Sequence, residues 1–516
     1  SNLCQLLSFS HVFADQRDKP VLDPRLLENH YRGIIALSGC RKGEIPLMIE
    51  QEEYEKALAR AKWYLELFGP ENFYIELQQN LVRGDTLRNK RLVRLARKMN
   101  LQVVGTNNVH YHNRDYAHLH DCLVVIELNK SLEATHTERR ANSEYFLKSP
   151  EEMNVLFKDC PEAIQNTIRI AQRCVFDLTE DLNYSFPAYS PPDGQTSEGY
   201  LKSLCHEAAV RRYGKITPEV HTRLKEEFLL IDKYNLAGFL LYYYDIVRLA
   251  QKVMIKRGLS DPEIPLEERP PGRGRGSSVA LLVGYLIGLS HIDPLQYKLS
   301  LERFLPDDLL EVALDIDLDF PRNIREDLIL AVHREWGWDH AALTGMVNTY
   351  QIRGAIRDLG KTLGLPTDQI DRLAKRVPHT SARNIEQEFR SLPEFLTKIN
   401  HPGWRDLIRL APQLDGTPRY VAQHPGGMII SSLPLTGIVP VQRGAIEGRY
   451  IVQWDKDDID AAAMVKIDFL ALGDSDPDDS SNDYDVWWFW RTDETAFSQA
   501  LLGTHDGNPL YTASDL

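Results

Sequence analysis

Several features that would classify this chain at once are missing from it. Its six cysteines (Cys4, Cys40, Cys122, Cys160, Cys174 and Cys205) stop at position 205 and never form CxxC. That spacing argues against a zinc ribbon and against a disulfide framework, so reduced and mostly buried thiols are expected. No run of about 18 uninterrupted apolar residues occurs, and the opening "SNLCQLLSFS" has neither the basic start nor the cleavage site of a signal peptide. A cytoplasmic protein without membrane contact is the expectation. Positive charge is not in excess either, since 60 Lys and Arg against 74 Asp and Glu leave a net −14. A nucleic-acid binder is not indicated by that balance, but a local groove can be basic on an acidic protein, so the placement of the basic residues matters more. There is no internal repeat. What remains is a chain of 516 residues, 43% hydrophobic and 26% charged, long enough for about three or four domains.

Composition breaks the chain in two places. "SFPAYSPPDGQTSEG", residues 185–199, is rich in Pro, Ser and Gly and reads as a linker, with Thr196 as cap of the helix that follows. Upstream, amphipathic stretches such as "EEYEKALARAKWYLELF" alternate with short apolar runs, "FYIELQ" and "LQVVGTNNVHY", as helices and strands of an α/β layer would. The second break follows Gly473, where "DSDPDDSSNDYD" and then "VWWFW" replace an apolar, Gly-bounded pattern. The acidic, serine-rich part is expected to be disordered.

"LDIDLDF" carries the chemistry. Leu314, Ile316, Leu318 and Phe320 alternate with Asp315, Asp317 and Asp319, which predicts a strand with one packed face and one acidic face. Three like charges on one face repel unless a cation neutralises them. A solvated strand face is one explanation. A calcium loop is another, because Asp315, Asp317, Asp319 and Glu326 fall at positions 1, 3, 5 and 12, but position 6 of such a loop requires Gly and finds Phe320, followed by Pro321. A hard cation such as Mg²⁺, which takes carboxylates together with substrate phosphates, fits the oxygen-only donor set. Two such ions would activate a hydroxyl and stabilise a leaving pyrophosphate.

A phosphate cradle should then be near. "GRGRGSS", Gly272 to Ser278, offers glycines for close backbone approach and two hydroxyls, and "VALLVGYLIGL" behind it reads as a helix whose N-terminus favours anions. The loop lacks the GKS or GKT ending of a Walker A motif, and alone it would be a turn as readily as a cradle. A further segment, "AMVKIDFLAL", reads as a buried strand in which Lys466 and Asp468 share one face, either as a structural ion pair or as ligands of metal and phosphate.

"GRGSS", "DPLQYKLSLERFLP", "DIDLDFP", "HPGGMIIS", "VQWDKDD" and "VKIDFLALG" occur here in the order they have in the bacterial C-family DNA polymerases, the DNA polymerase III alpha subunits. The chain resembles that family up to Gly473, and "QHPGGMIIS" and "VQWDKDDIDA" are closest to its error-prone branch. The resemblance implies a DNA-directed DNA polymerase with an α/β and α+β multidomain fold. A partial α/β polymerase and histidinol phosphatase (PHP) domain would span 1–184. A polymerase-beta-like palm with a mixed sheet would span 200–348 and 421–473, with a helical thumb at 349–420 inserted in it. Residues 474–516 would be a non-family tail. The same resemblance makes Asp317, Asp319 and Asp468 the catalytic, metal-binding aspartates for two Mg²⁺ ions, with Asp315 in support. It assigns Arg275, Gly276, Ser277, Ser278, Arg303 and Lys466 to the incoming triphosphate. The family usually has Pro before the first aspartate of the strand, where this chain has Leu314. Partners implied are primer-template DNA and dNTPs, and a replisome or sliding clamp for the intact protein.

Two regions add readings of their own. In "YQIRGAIRDLGKTLG", Ile352, Ile356, Leu359 and Leu363 form an apolar stripe, while Arg353, Arg357 and Lys361 form a ridge that would contact DNA phosphates or simply be solvated. "HPGGM" reads as a turn leading back to the palm strands. In "NNVHYHNRDYAHLHD", His110, His112, His118 and His120 stand close to Asp115 and Asp121, either as a transition-metal site or as separate surface histidines. By resemblance the PHP cluster uses an Asp-x-His pair, here Asn108-Val109-His110, and His-x-His ligands that would precede Ser1; Cys40 and Glu76 match retained positions. A scaffold rather than a complete Zn²⁺ or Mn²⁺ cluster is therefore expected. The family's fingers would follow Gly473, so the chain reads as a fragment. The alternatives are a non-catalytic remnant that binds DNA or a replisome partner, and a metal phosphoesterase working through the histidines.

Overall fold

The computed structural model describes residues 1–17, 19–178, 180–182, 189–275, 279–300, 316–462, 464, 466–471, 504–505 and 508–509. In the first part, β1 (Ala36–Leu37), β2 (Phe73–Gln78) and β3 (Gln102–Thr106) form a parallel sheet in that order. "FYIELQ" is buried at all six positions, as expected where helices cover both faces of a parallel strand. The helices Tyr54–Phe68 and Asp85–Lys98 make the crossovers, and their Ala57, Ala61, Leu92 and Leu95 pack with Phe73, Ile75 and Leu77. At the first compositional break, the Thr196 hydroxyl accepts the Gly199 N–H at 3.1 Å and starts the helix Ser197–Tyr213.

The second part is built on seven strands: β4 (Arg273–Gly274), β5 (Leu318–Phe320), β6 (Ala341–Thr349), β7 (Pro418–Ile430), β8 (Val441–Arg443), β9 (Tyr450–Val452) and β10 (Lys466–Ala471). Their order is β4-β5-β10-β7-β6-β9-β8. The sheet is mixed, since β5 runs parallel to β10 and β6 to β9 while the other neighbours are antiparallel. Helices Ala237–Lys256 and Arg322–Trp336 cover one face. Their apolar residues recur every three or four positions, for example Leu240, Tyr243, Val247, Ala250 and Met254, and they meet Ile316, Leu318, Phe320, Ile467 and Phe469 in one core. The carboxylates of the acidic strand are thereby left to the other face.

Between β6 and β7 lies a helical unit that includes Ile352–Thr362, Thr367–Arg376 and Pro402–Leu414. Ile352, Ile356 and Leu359 are fully buried in its core with Phe389, Phe395 and Trp404. Two pieces of the first part join other units. Leu119 and Cys122, from the helix Ala117–Leu128, belong to the core of the helical insertion. The helix Asn2–Val12 docks on the edge of the large sheet, where the Ser8 hydroxyl accepts the Val441 N–H at 2.9 Å.

Residues 424–427 are not a turn between elements but a bulge inside β7. Opposite β7, β6 advances from Leu343 to Gly345 while β7 goes from Met428 to Gln423. The His424 Nδ1 accepts the N–H groups of Gly426 and Gly427 at 3.3 and 2.8 Å, which satisfies donors the ladder cannot reach. The glycines that signal a turn in sequence serve the bulge instead. The expected disorder of the acidic tail lies outside the described residues. No helix among the described residues is long and apolar enough to cross a membrane.

Candidate active site on the carboxylate face of the mixed sheet

The site is built around β5. Ile316, Leu318 and Phe320 are each fully buried, which fixes the pleat and turns Asp317 and Asp319 to the opposite face. β4 lies against β5 with Arg273 directly opposite Asp319. Close approach depends on Gly272, where a Cβ would stand 2.7 Å from the Phe320 ring and 3.0 Å from the Asp319 carbonyl oxygen. The Arg275 N–H donates to the Asp317 carbonyl oxygen at 3.0 Å, extending the pairing by one step.

Two guanidinium groups therefore face two carboxylates. Arg275 Nε stands 2.9 Å from Asp319 Oδ2 and its Nη2 stands 3.8 Å from Asp317 Oδ2, while Arg273 Nη2 is 3.9 Å from Asp319 Oδ2. Burial pushes the Asp319 carboxyl above the usual carboxylate range; Arg275 and Arg273 pull it back, and Asp317 adds to the rise. A buried carboxylate with a like charge two residues away is a site that demands a cation.

β10 brings the third aspartate. Its register with β5 pairs Phe469 with Leu318 and Leu470 with Asp319, so one step back Asp468 is level with Asp317. Ile467 and Phe469 of the same strand are buried in the helix-side core. Across β7 the partner of Asp468 is Gly427.

Other sequence candidates fall differently. Gly276, Ser277, Ser278, Arg303 and Asp315 lie outside the described residues. The segment after the loop forms only a short helix, Leu282–Leu286, and its N-terminus is not open to an anion. The Glu227 carboxylate already accepts the N–H groups of Leu282 and Val283, both at 2.8 Å, and is held by Arg223 Nε at 2.7 Å. The physical reason is that an internal carboxylate satisfies the same first-turn donors a phosphate would use. Nothing in "KEEFLL" marks Glu227 for this. Arg273 could have been found from sequence, because Arg273 and Arg275 repeat at the two-residue spacing of Asp317 and Asp319.

Arg353, Arg357 and Lys361 all lie on the helix Ile352–Thr362, but two of them are bonded to other groups of the protein. Arg353 donates to the Val377 carbonyl from Nε and Nη2 and also meets His379, and Lys361 donates to Asn129 Oδ1 at 2.6 Å. Arg357 is exposed.

Of the histidines of 110–121, His110 and His120 are neighbours while His112 and His118 turn to other partners. The His110 and His120 rings stand 4.9 Å apart, His112 lies on Tyr116, and His118 Nδ1 contacts Arg409 at 2.7 Å. Burial, with Arg140 and His120 adding, pushes His110 down to about 4. Glu76 is buried and accepts from Gln78 Nε2 at 2.8 Å and from the Thr106 hydroxyl, while the Cys40 carbonyl accepts the Gly43 N–H. Among the described residues no three His, Cys, Asp or Glu residues come together in a group that could hold a metal ion.

Comparison with known proteins gives a consistent result. Residues 199–471 match the bacterial DNA polymerase III alpha NTPase domain, and residues 1–80 match the PHP domain. An error-prone DNA polymerase of Symbiobacterium thermophilum is 33% identical over 92% of this chain and 43% of its own length. A DNA polymerase III subunit alpha of Borreliella burgdorferi is 30% identical over 91% of this chain and 40% of its own. An error-prone DNA polymerase of Rhodopirellula baltica is 34% identical over 73% and 32% respectively. The chain thus spans about two fifths or less of these relatives.

Proposed function

This chain belongs to the bacterial DNA polymerase III alpha family, and from that premise we propose that it is the palm-bearing part of a DNA-directed DNA polymerase. Its substrates are primer-template DNA and dNTPs, and its reaction is nucleotidyl transfer to a primer 3′-hydroxyl. The observation that carries the reading is the convergence of the Asp317 and Asp319 carboxylates on one cationic group, with the backbone of Asp468 level with Asp317 on the neighbouring strand.

The donor set fits divalent magnesium. The Arg275 guanidinium stands in for a cation between two carboxylates, and the donors are hard oxygens with no cysteine or histidine among them. Asp317, Asp319 and Asp468 would hold the ions, which when bound lower the pKa of the attacking hydroxyl and neutralise the departing pyrophosphate. The protein's own contribution is positioning. β5 is locked on its apolar side, so the two carboxylates keep the two-residue pleat spacing without reorganising. Arg273 and Arg275 add positive charge where a triphosphate would lie, and the segment 276–278 continues from them. The helical insertion is the thumb in this reading, with Arg357 as its phosphate contact.

Primer extension tests it. Asp319→Asn and Asp468→Asn should each lower extension by about a hundredfold or more, while retention of primer-template DNA, read by fluorescence anisotropy, stays the same or improves. Variants that extend as well as the parent would remove the assignment. A parent chain that retains DNA, extends nothing and ignores both substitutions would favour a non-catalytic binding role.

A further inference from the structure

We propose that Arg275 is an exchangeable internal counter-ion of the Asp317 and Asp319 pair: its guanidinium occupies the cation position when no divalent ion is bound and yields it when one binds. The inference rests on the metal-dependent reading above and adds a role for a residue of this chain.

The contact geometry is the first argument. Arg275 reaches both carboxylates at once, at 2.9 Å and 3.8 Å, through the Oδ2 atom of each. A divalent ion held by the pair would draw on the same two carboxylates, and a guanidinium lodged against both would repel the dication. One cation must leave for the other to enter.

Exposure decides which one moves. The Asp319 side chain is 7% exposed and set on a strand whose neighbours are fully buried, so it cannot swing out to follow its partner. The Arg275 side chain is 43% exposed and can. Its backbone stays in place throughout, because its N–H is bonded to the Asp317 carbonyl and not to either carboxylate. Arg273, at 3.9 Å from Asp319, remains a positive neighbour of the pair.

The exchange has a consequence for substrate binding. A guanidinium that has left the carboxylates at position 275 can turn to an anionic phosphate instead. Ion loading and phosphate binding then become positively linked, since each favours the state in which Arg275 has left the carboxylates.

The test is calorimetric titration of Mn²⁺ into the whole chain and three variants. The double variant Asp317→Asn with Asp319→Asn should lose the binding isotherm. Arg275→Gln should bind Mn²⁺ about tenfold more tightly than the parent, because one charge-assisted contact no longer competes, and Arg275→Lys should fall between. Unchanged or weaker Mn²⁺ binding by Arg275→Gln overturns the exchange while leaving the metal site intact. Parent-like binding by the double carboxylate variant overturns the metal reading and the exchange with it. If Arg275→Gln does not fold, the parent decides: the ¹⁵N signal of the Arg275 Nε–H, assigned by its absence in Arg275→Lys, should shift on Mg²⁺ addition. An unshifted signal at saturating Mg²⁺ overturns the proposal.

Discussion

Arg353 spends two donors on one acceptor: its Nε and Nη2 both point at the Val377 carbonyl oxygen, at 3.0 and 2.8 Å. The contact ties the helix Ile352–Thr362 to the end of Thr367–Arg376, leaving little of this guanidinium for DNA. Arg353→Ala should cost about 1–3 kcal/mol of stability by unsatisfying that carbonyl, measured by urea unfolding. Arg357→Ala should change stability by less than about 0.5 kcal/mol and make the dependence of log K on log salt shallower by about one. Equal effects of the two substitutions on stability would contradict this division.

Glu227 is fully buried and holds Arg223, Leu282 and Val283 together. Arg223 also donates to the Ala280 carbonyl at 2.7 Å, so the network joins the helix Pro218–Lys233 to the segment following the Gly-Arg loop. Glu227→Ala strands a guanidinium and two N–H groups, and should cost about 3–5 kcal/mol. Chemical denaturation gives the value; a loss under about 1 kcal/mol would mean the group is hydrated in solution.

His333 is buried and neutral by construction. Its Nδ1 faces the Ala341 carbonyl at 3.0 Å, an atom that can only accept, so Nδ1 carries the proton and Nε2 accepts the Tyr450 N–H at 3.4 Å. Burial pushes its pKa from 6.5 down to about 4. The unfolded chain therefore binds the proton first, and this group's contribution is complete above 6.5 and is lost as pH falls from there towards 4. The slope is about 1.4 kcal/mol per pH unit within that window. Relative to the parent, His333→Asn should flatten the stability profile between pH 6.5 and pH 4.

Gly272 tests how closely β4 must approach β5. In Gly272→Ala the new methyl would meet the Phe320 ring at 2.7 Å and backbone at 3.0 Å. An overpacked contact of this type costs about 1–3 kcal/mol, and the displaced strand carries Arg273 and Arg275 away from the carboxylates. Melting temperature should fall, and ion affinity should change with it. A variant that melts like the parent would show that β4 has slack.

Much of the candidate site is legible in the sequence. Period-two alternation is a local property of the backbone, so "LDIDLDF" announces a strand with one packed face and one acidic face, while "AMVKIDFLAL" reads only as a buried strand with Lys466 and Asp468 two residues apart. The stripe of Ile352, Ile356 and Leu359 likewise announces a buried helix face, and Thr196 its cap. Order of motifs was enough to indicate the family.

What sequence could not supply is which surface meets which, because periodicity says that a face is buried and not against what. Only the folded chain sets β10 beside β5 and so brings Asp468 level with Asp317. It alone gives Leu119 and Cys122 to the core of the helical insertion and docks Asn2–Val12 on the large sheet. The same limit explains the differences. A glycine pair signals freedom of the backbone, which a bulge uses as well as a turn, and a helix N-terminus signals donors, which Glu227 reaches from 55 residues away. Local chemistry is written along the chain; the partners that complete it are chosen by long-range packing.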